Sequence, residues 1–149
     1  MNTKVCIITG GNSGIGYEVV KKLLTQNYTV IIGCRDSPKT EAVLTSLDPN
    51  YKENRTNLIH IPLDLSDFTN VREFVDKFNE LGLQLNLLIN NAGTFYNNEG
   101  LKNSEGIDNV LATNYYGHFL LTYLLMDKLK STEGSRVANV SSSLFKDFQ

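Results

Sequence analysis

The stretch Thr9-Gly-Gly-Asn-Ser-Gly-Ile-Gly16 constrains this chain more than any other. It follows directly on an apolar run, Val5-Cys6-Ile7-Ile8, and leads into a helical pattern of apolar residues, Ile15, Val19, Val20, Leu23 and Leu24. Strand, glycine turn and helix in that order are the setting a phosphate-binding turn requires. The first turn of such a helix presents free N–H groups and the positive end of its dipole. Gly10, Gly14 and Gly16 have separable tasks: one permits the tight turn, one lets the backbone approach a pyrophosphate, and one lets the helix pack close on the strand. An ordinary turn is the competing reading of a lone glycine pattern, and the later segments weigh against it.

Strand and helix signals alternate along the whole length, which predicts repeated βα units and a parallel sheet. Tyr28–Gly33 reads as the second strand, and a short helix follows over Pro38–Leu47, with Pro38 in the first turn where its missing N–H costs nothing. The polar run 48–56 is a surface loop. Leu58–Ile61 is the third strand, followed by Asp64-Leu65-Ser66-Asp67. Phe68, Val71, Phe74, Val75 and Phe78 then share one face of an amphipathic helix. Leu85–Ile89 is the fourth strand, closed by Asn90-Asn91-Ala92-Gly93, and 94–104 is a loop rich in Asn and Gly. A long helix is expected from Glu105 to Leu129, then a fifth strand over Arg136–Val140, and then Ser141-Ser142-Ser143. No internal repeat or linker interrupts the pattern, so 1–149 is read as a single domain.

A chain of 149 residues can bury a real core. Its net charge of −2 offers no basic face for nucleic acid. Cys6 and Cys34 fall at apolar strand positions, not at metal-ligand spacing. They read as core thiols in a reducing compartment, and neither a disulfide nor a metal site is expected. The first core strand begins within a few residues of Met1, leaving no room for a signal peptide, and no apolar run is long enough to span a bilayer. A soluble, cytoplasmic protein is expected.

By this point the chain resembles the short-chain dehydrogenase/reductase family along its whole length. It looks closest to the branch of the retinol dehydrogenases and their WW-domain-bearing relatives. The residues that carry the resemblance are T-G-G-N-S-G-I-G at 9–16, G-C-R-D at 33–36, L-D-L-S-D at 63–67, N-N-A-G at 90–93, N-Y-Y-G-H-F-L-L-T at 114–122 and R-V-A-N-V-S-S-S at 136–143. The resemblance implies an α/β fold of the Rossmann type, a doubly wound parallel sheet in the order 3-2-1-4-5 flanked by helices. It also implies NAD or NADP bound at the carboxyl ends of the strands, and hydride transfer between an alcohol and a carbonyl.

The same resemblance assigns site residues. Thr9, Gly10, Asn12, Ser13, Gly14, Ile15 and Gly16 form the cofactor turn. Arg35 stands just past strand two, where an acid would bind the ribose 2′-hydroxyl of NAD and a guanidinium suits the 2′-phosphate of NADP. The family's NAD-selecting acid would align with Cys34 and is absent, so NADP is expected ahead of NAD. Asp36 tells slightly against this, and a plain surface charge is the other reading of Arg35. Asp64, with Leu65, is implied to contact the adenine; a helix-capping acid is the alternative, although Ser66 or Asp67 could cap equally well. Asn90, Ala92 and Gly93 are implied to line the cofactor ribose, with Asn90 also tying neighbouring strands together. A strand-to-loop turn needs small residues there too.

Asn114 and His118 fall on the helical stripe of Ile107, Leu111, Leu121 and Leu125, so both are expected to be buried and hydrogen-bonded. The resemblance implies that Asn114 supports a water relaying protons to a catalytic lysine. His118 has no such counterpart and reads as a satisfied core histidine. Ser142 matches the family's catalytic serine, which donates a hydrogen bond to the substrate carbonyl as charge develops on oxygen. Three serines in a row could also be a plain turn.

The family's reaction further needs a tyrosine as general acid/base and a lysine four residues later. No tyrosine follows Tyr123 in this sequence. Tyr17 and Lys21 have that spacing, but they lie on the first helix opposite the Ile15/Val19/Leu23 stripe and are expected to face solvent. The expectation is therefore an N-terminal, cofactor-binding portion, truncated before the Tyr-x-x-x-Lys motif and inactive alone. The alternatives are a non-catalytic short form that binds a dinucleotide or a partner, and a non-functional truncation. By resemblance the substrate is a small, hydrophobic alcohol or aldehyde. The membrane anchor that many of that branch carry before strand one has no counterpart here. Strand five, lacking its next neighbour, should leave an apolar edge open to homo-oligomer formation or aggregation.

Overall fold

The computed structural model describes residues 3–53, 57–95 and 100–142. Residues 54–56 and 96–99 of the two expected loops, and the tail from Ser143 onward, lie outside the described residues. In chain order the elements are β1 (Val5–Thr9), α1 (Gly14–Thr25), β2 (Thr29–Cys34), α2 (Pro38–Leu47), β3 (Leu58–Pro62), α3 (Phe68–Glu80) and β4 (Leu87–Asn90). A helical stretch comes next, made of α4 (Asn109–Leu111), a π-helical turn (Ala112–Tyr116), α5 (Gly117–Leu124) and α6 (Met126–Ser131), and β5 (Arg136–Asn139) closes the series. All strand pairs are parallel, in the order β3-β2-β1-β4-β5, as the resemblance implied.

Central parallel strands are apolar on both faces because helices cover both. Strand alternation sorts their residues: Val5, Ile7 and Ile31 face α3 and α5–α6 through Phe74, Phe78, Leu121 and Leu125. Cys6, Ile8, Val30 and Ile32 face α1 and α2 through Val20, Leu23 and Leu44. Both thiols are free and buried, and burial pushes Cys6 up to about 12 and Cys34 up to about 11, so neither is a nucleophile at neutral pH. Ser37 caps α2 by accepting from Thr40 N–H at 3.1 Å, with Pro38 in the first turn. Asp67 caps α3 by accepting from Thr69 and Asn70 N–H.

β2, β3 and β5 differ from expectation by one residue at their ends, and larger departures fall in three places. β4 begins at Leu87, not Leu85, because the Asn86 side chain accepts from Val5 N–H at 2.8 Å and its own N–H donates to Val5 O, taking up the bonds that would extend the ladder. The long helix begins at Asn109, not Glu105. Asn103 Oδ1 accepts from Glu105 and Ile107 N–H and holds those residues in a turn, and Asp108 caps the helix by accepting from Val110 and Leu111 N–H. The π turn then adds a residue to the winding, rotating the residues before it by about 100°. Leu111 and Asn114 consequently leave the Leu121/Leu125 stripe and are exposed. Finally, Ile15 is 67% exposed, and α1 buries Gly16, Val20 and Leu23 instead. Tyr17 and Lys21 lie at the surface side of α1, the Lys21 ammonium 5.3 Å from the Tyr17 ring and paired with Glu18.

Every residue of β5 is exposed, Val137 at 41%, and Val140 beyond it at 47%. Among the described residues no helix is long and apolar enough to cross a membrane, and no three metal-ligating side chains come together.

Candidate functional site

The chain winds from β1 outward to β2 and β3, then returns past β1 to form β4. The carboxyl ends of β1 and β4 therefore flank a crevice, the switch point where open α/β sheets take ligands. Gly10 has φ +65°, and a Cβ there would stand 2.9 Å from Ala92 Cα, so the turn and the β4 exit lie backbone against backbone. A Cβ on Gly16 would overlap Gly10 O and come within 2.5 Å of Asn91 Nδ2, which seats the start of α1 under the turn. Gly14, by contrast, faces space with no protein atom within 4 Å of its missing Cβ.

Ser13 at the N-cap of α1 makes no cap hydrogen bond, and the first turn carries no acid. Ser37, Asp67 and Asp108 cap the other helices that start from loops, so α1 alone among these offers its leading N–H groups outward. Three glycines, an uncapped helix start and adjoining open space fit a pyrophosphate.

Asn12 ties this turn to the β2 exit. Its Nδ2 donates to the fully buried Thr40 Oγ1 at 2.9 Å, and Thr40 donates to Arg35 O at 3.0 Å. The Arg35 side chain is exposed, with no ion pair or hydrogen bond among the described residues. Cys34 is buried beside His60 Nε2 at 3.5 Å, so no carboxylate occupies that position. Asp64 accepts from Ser66 N–H and Oγ–H within its own loop and caps no helix. The Leu65 side chain is in the core, and Gly117 rides so close above it that a Cβ would overlap Leu65 O.

On the β4 side, Asn90 Nδ2 donates to Thr122 Oγ1 at 3.0 Å and to Asn139 Oδ1 at 2.8 Å, joining β4, α5 and β5. Its own Oδ1 is buried and has no donor among the described residues. Gly93 is exposed, and Asn114 Oδ1 is the nearest atom to its missing Cβ, at 3.8 Å. Asn114, expected to be buried, is exposed in the π turn; its amide partners are the backbone of Thr94, whose N–H it accepts at 2.8 Å and whose carbonyl it donates to at 3.0 Å. His118 is a hydrogen-bonded core residue, with Nε2 2.8 Å from Thr9 Oγ1 and Nδ1 3.4 Å from Asn114 O. Burial lowers its pKa, against the opposing pull of the Asn114 carbonyl. Ser142 is exposed just past β5, at the same end of the sheet as Asn90.

Two participants escaped sequence reasoning. Asn91 Nδ2 donates to Thr9 O at 2.9 Å and Gly10 O at 3.3 Å, closing the turn from the β4 side. Thr40 joins two site segments from inside the fold. Asn91 was signalled by its place in the N-N-A-G run, which gave it no role of its own, and Thr40 only by its place three residues after the Ser37 cap.

Residues 4–147 match the family described as short chain dehydrogenase. Retinol dehydrogenase 12 of Homo sapiens is 40% identical over 139 residues, covering 93% of this chain and 43% of that protein. The chloroplastic short-chain dehydrogenase TIC 32 B of Brassica napus is 41% identical over 142 residues, covering 91% and 43%. Among solved structures, the Pseudomonas aeruginosa RhlG/NADP active-site complex superposes with a TM-score of 0.75 at 28% identity, over 93% of this chain and 54% of that one. The 3-ketoacyl-(acyl-carrier-protein) reductase of Brucella melitensis, complexed with NADH, gives 0.76 at 25% identity over 98% and 59%. The chain thus spans less than half the length of these curated relatives. With its switch-point crevice, its open glycine turn and a family match over nearly its whole length, the chain belongs to the short chain dehydrogenase family, and retinol dehydrogenases are among the relatives it resembles.

Proposed function

We propose that this chain binds NADP in the β1–β4 crevice and is the cofactor-binding portion of an oxidoreductase that interconverts an alcohol and a carbonyl. The observation that carries this reading is the uncapped, acid-free start of α1, opening beside Gly14 onto space. Thr9, Gly10, Asn12, Ser13, Gly14, Ile15 and Gly16 hold the pyrophosphate side, and the exposed Ile15 supplies an apolar contact there. Asp64 and Leu65 border the adenine, and the backbone of Asn90, Ala92 and Gly93 borders a ribose. Arg35, unpaired among the described residues, takes the 2′-phosphate; relatives bound to NADP and to NADH support a nicotinamide dinucleotide of either kind, and Arg35 beside Cys34 supports NADP.

A nicotinamide dinucleotide, when bound, supplies or accepts the hydride. The chain's own part is to bind, orient and stabilise charge. Ser142 donates a hydrogen bond to the substrate oxygen as negative charge develops, and Asn114 supports the proton relay. The general acid is not among these residues, since no tyrosine follows Tyr123. The 149 residues alone therefore bind cofactor without turnover. The likeness to retinol dehydrogenases supports a small hydrophobic alcohol or aldehyde as substrate. The free buried thiols fit a reducing compartment such as the cytoplasm.

Titration of the purified chain with NADPH and NADH, read by thermal shift and fluorescence, tests this directly. Saturable stabilisation that favours NADPH is expected. No stabilisation by either dinucleotide overturns the proposal, and reduction of an aldehyde by the chain alone overturns the assignment of inactivity.

A further inference from the structure

Thr9 Oγ1 stands at the centre of three short contacts: the N–H groups of Asn91 and Ala92, each at 2.9 Å, and His118 Nε2 at 2.8 Å. Thr9 is fully buried, so these partners must satisfy it without solvent. A hydroxyl has one hydrogen and two lone pairs. The two amides can only donate, and they use both lone pairs. The contact with His118 must therefore carry the Thr9 hydrogen, which makes Nε2 the acceptor and leaves the ring proton on Nδ1, directed at Asn114 O. If Nε2 carried a proton, three donors would converge on two lone pairs and the Thr9 hydrogen would have no acceptor. Asn114 closes the circuit by binding both backbone groups of Thr94, beyond the β4 exit.

We propose that His118 is a positioning residue of the cofactor crevice: by taking the Thr9 hydrogen, its unprotonated Nε2 aims both Thr9 lone pairs at Asn91 and Ala92 and so locks the β4 exit against the glycine turn. The lock matters to ligand binding because Ala92 Cα packs directly against Gly10, so any loosening of residues 91–92 moves one wall of the crevice. Its effect on cofactor affinity rests on the proposed dinucleotide binding; its hydrogen-bond direction does not.

The full 149-residue chain provides the test. Long-range 1H–15N correlation of the imidazole is expected to show the neutral Nδ1–H tautomer; an Nε2–H or doubly protonated ring at neutral pH overturns the proposal. His118→Gln returns an acceptor to the Nε2 position, and His118→Leu keeps bulk without one. NADPH affinity should fall about tenfold in His118→Leu and stay within about threefold in His118→Gln, as loss or retention of one buried acceptor requires. Amide exchange at Asn91 and Ala92 should quicken in His118→Leu only. Equal behaviour of the two variants overturns the positioning role. A wild-type chain that binds no dinucleotide overturns the proposed function instead, and the tautomer and exchange measurements still decide for or against the His118 lock.

Discussion

Arg35 can turn its guanidinium toward a phosphate without breaking any bond, because no described residue holds it. The neighbouring Cys34 is a buried, protonated thiol and offers no carboxylate to a ribose 2′-hydroxyl. A charge-assisted contact between Arg35 and the 2′-phosphate is worth roughly tenfold or more in affinity. Arg35→Asp should therefore weaken NADPH by at least about that factor and leave NADH nearly unchanged or improved. Equal loss of both cofactors in parallel titrations would remove Arg35 from the site. The place of Arg35 just past β2 was legible in the sequence, as were Gly10 and Gly16 in a turn that needs close backbone approach. Asn91 and Thr40 were not legible: they bond to partners 82 and 28 positions away, and no local pattern records such a pairing.

At the scale of elements, α1 is seated by the absence of one side chain. Alanine at Gly16 would overlap Gly10 O and crowd the Asn91 amide, both part of the turn that α1 must approach. Overpacking of this sort costs about 1–3 kcal/mol, which for a chain of this size lowers Tm by roughly 3–10 °C. Gly16→Ala should show that shift in a thermal melt without cofactor and should also lose dinucleotide binding; an unchanged Tm would mean the turn is softer than its contacts imply. α2 was legible from Pro38 in its first turn and α3 from its apolar stripe, whereas the Ser37 cap of α2 emerged only in the structure. The helix after β4 was not legible. A π turn uses the same residue types as an α-helix, so the stripe through Asn114 looked continuous in sequence, although the extra residue turns that part of the surface outward.

For the molecule as a whole, the parallel sheet came from the alternation of strand and helix signals, and the strand order came from the family resemblance. The open edge at β5 was expected from the resemblance, in which that strand has a further neighbour, and β5 ends the described sheet with Val137 and Val140 exposed. Lysine at both positions should reduce self-association of the chain in sedimentation or light scattering without lowering cofactor affinity; undiminished association would place the contact elsewhere. The sheet order also sets a timetable. β1 is made before the other four strands, yet it occupies the middle of the sheet, and β4, its second neighbour, starts at Leu87. At typical synthesis rates those intervening residues take roughly 4–16 s to appear. Throughout that interval the buried, apolar β1 can be paired along one edge only, so the order in which the strands are made leaves its other edge open for seconds.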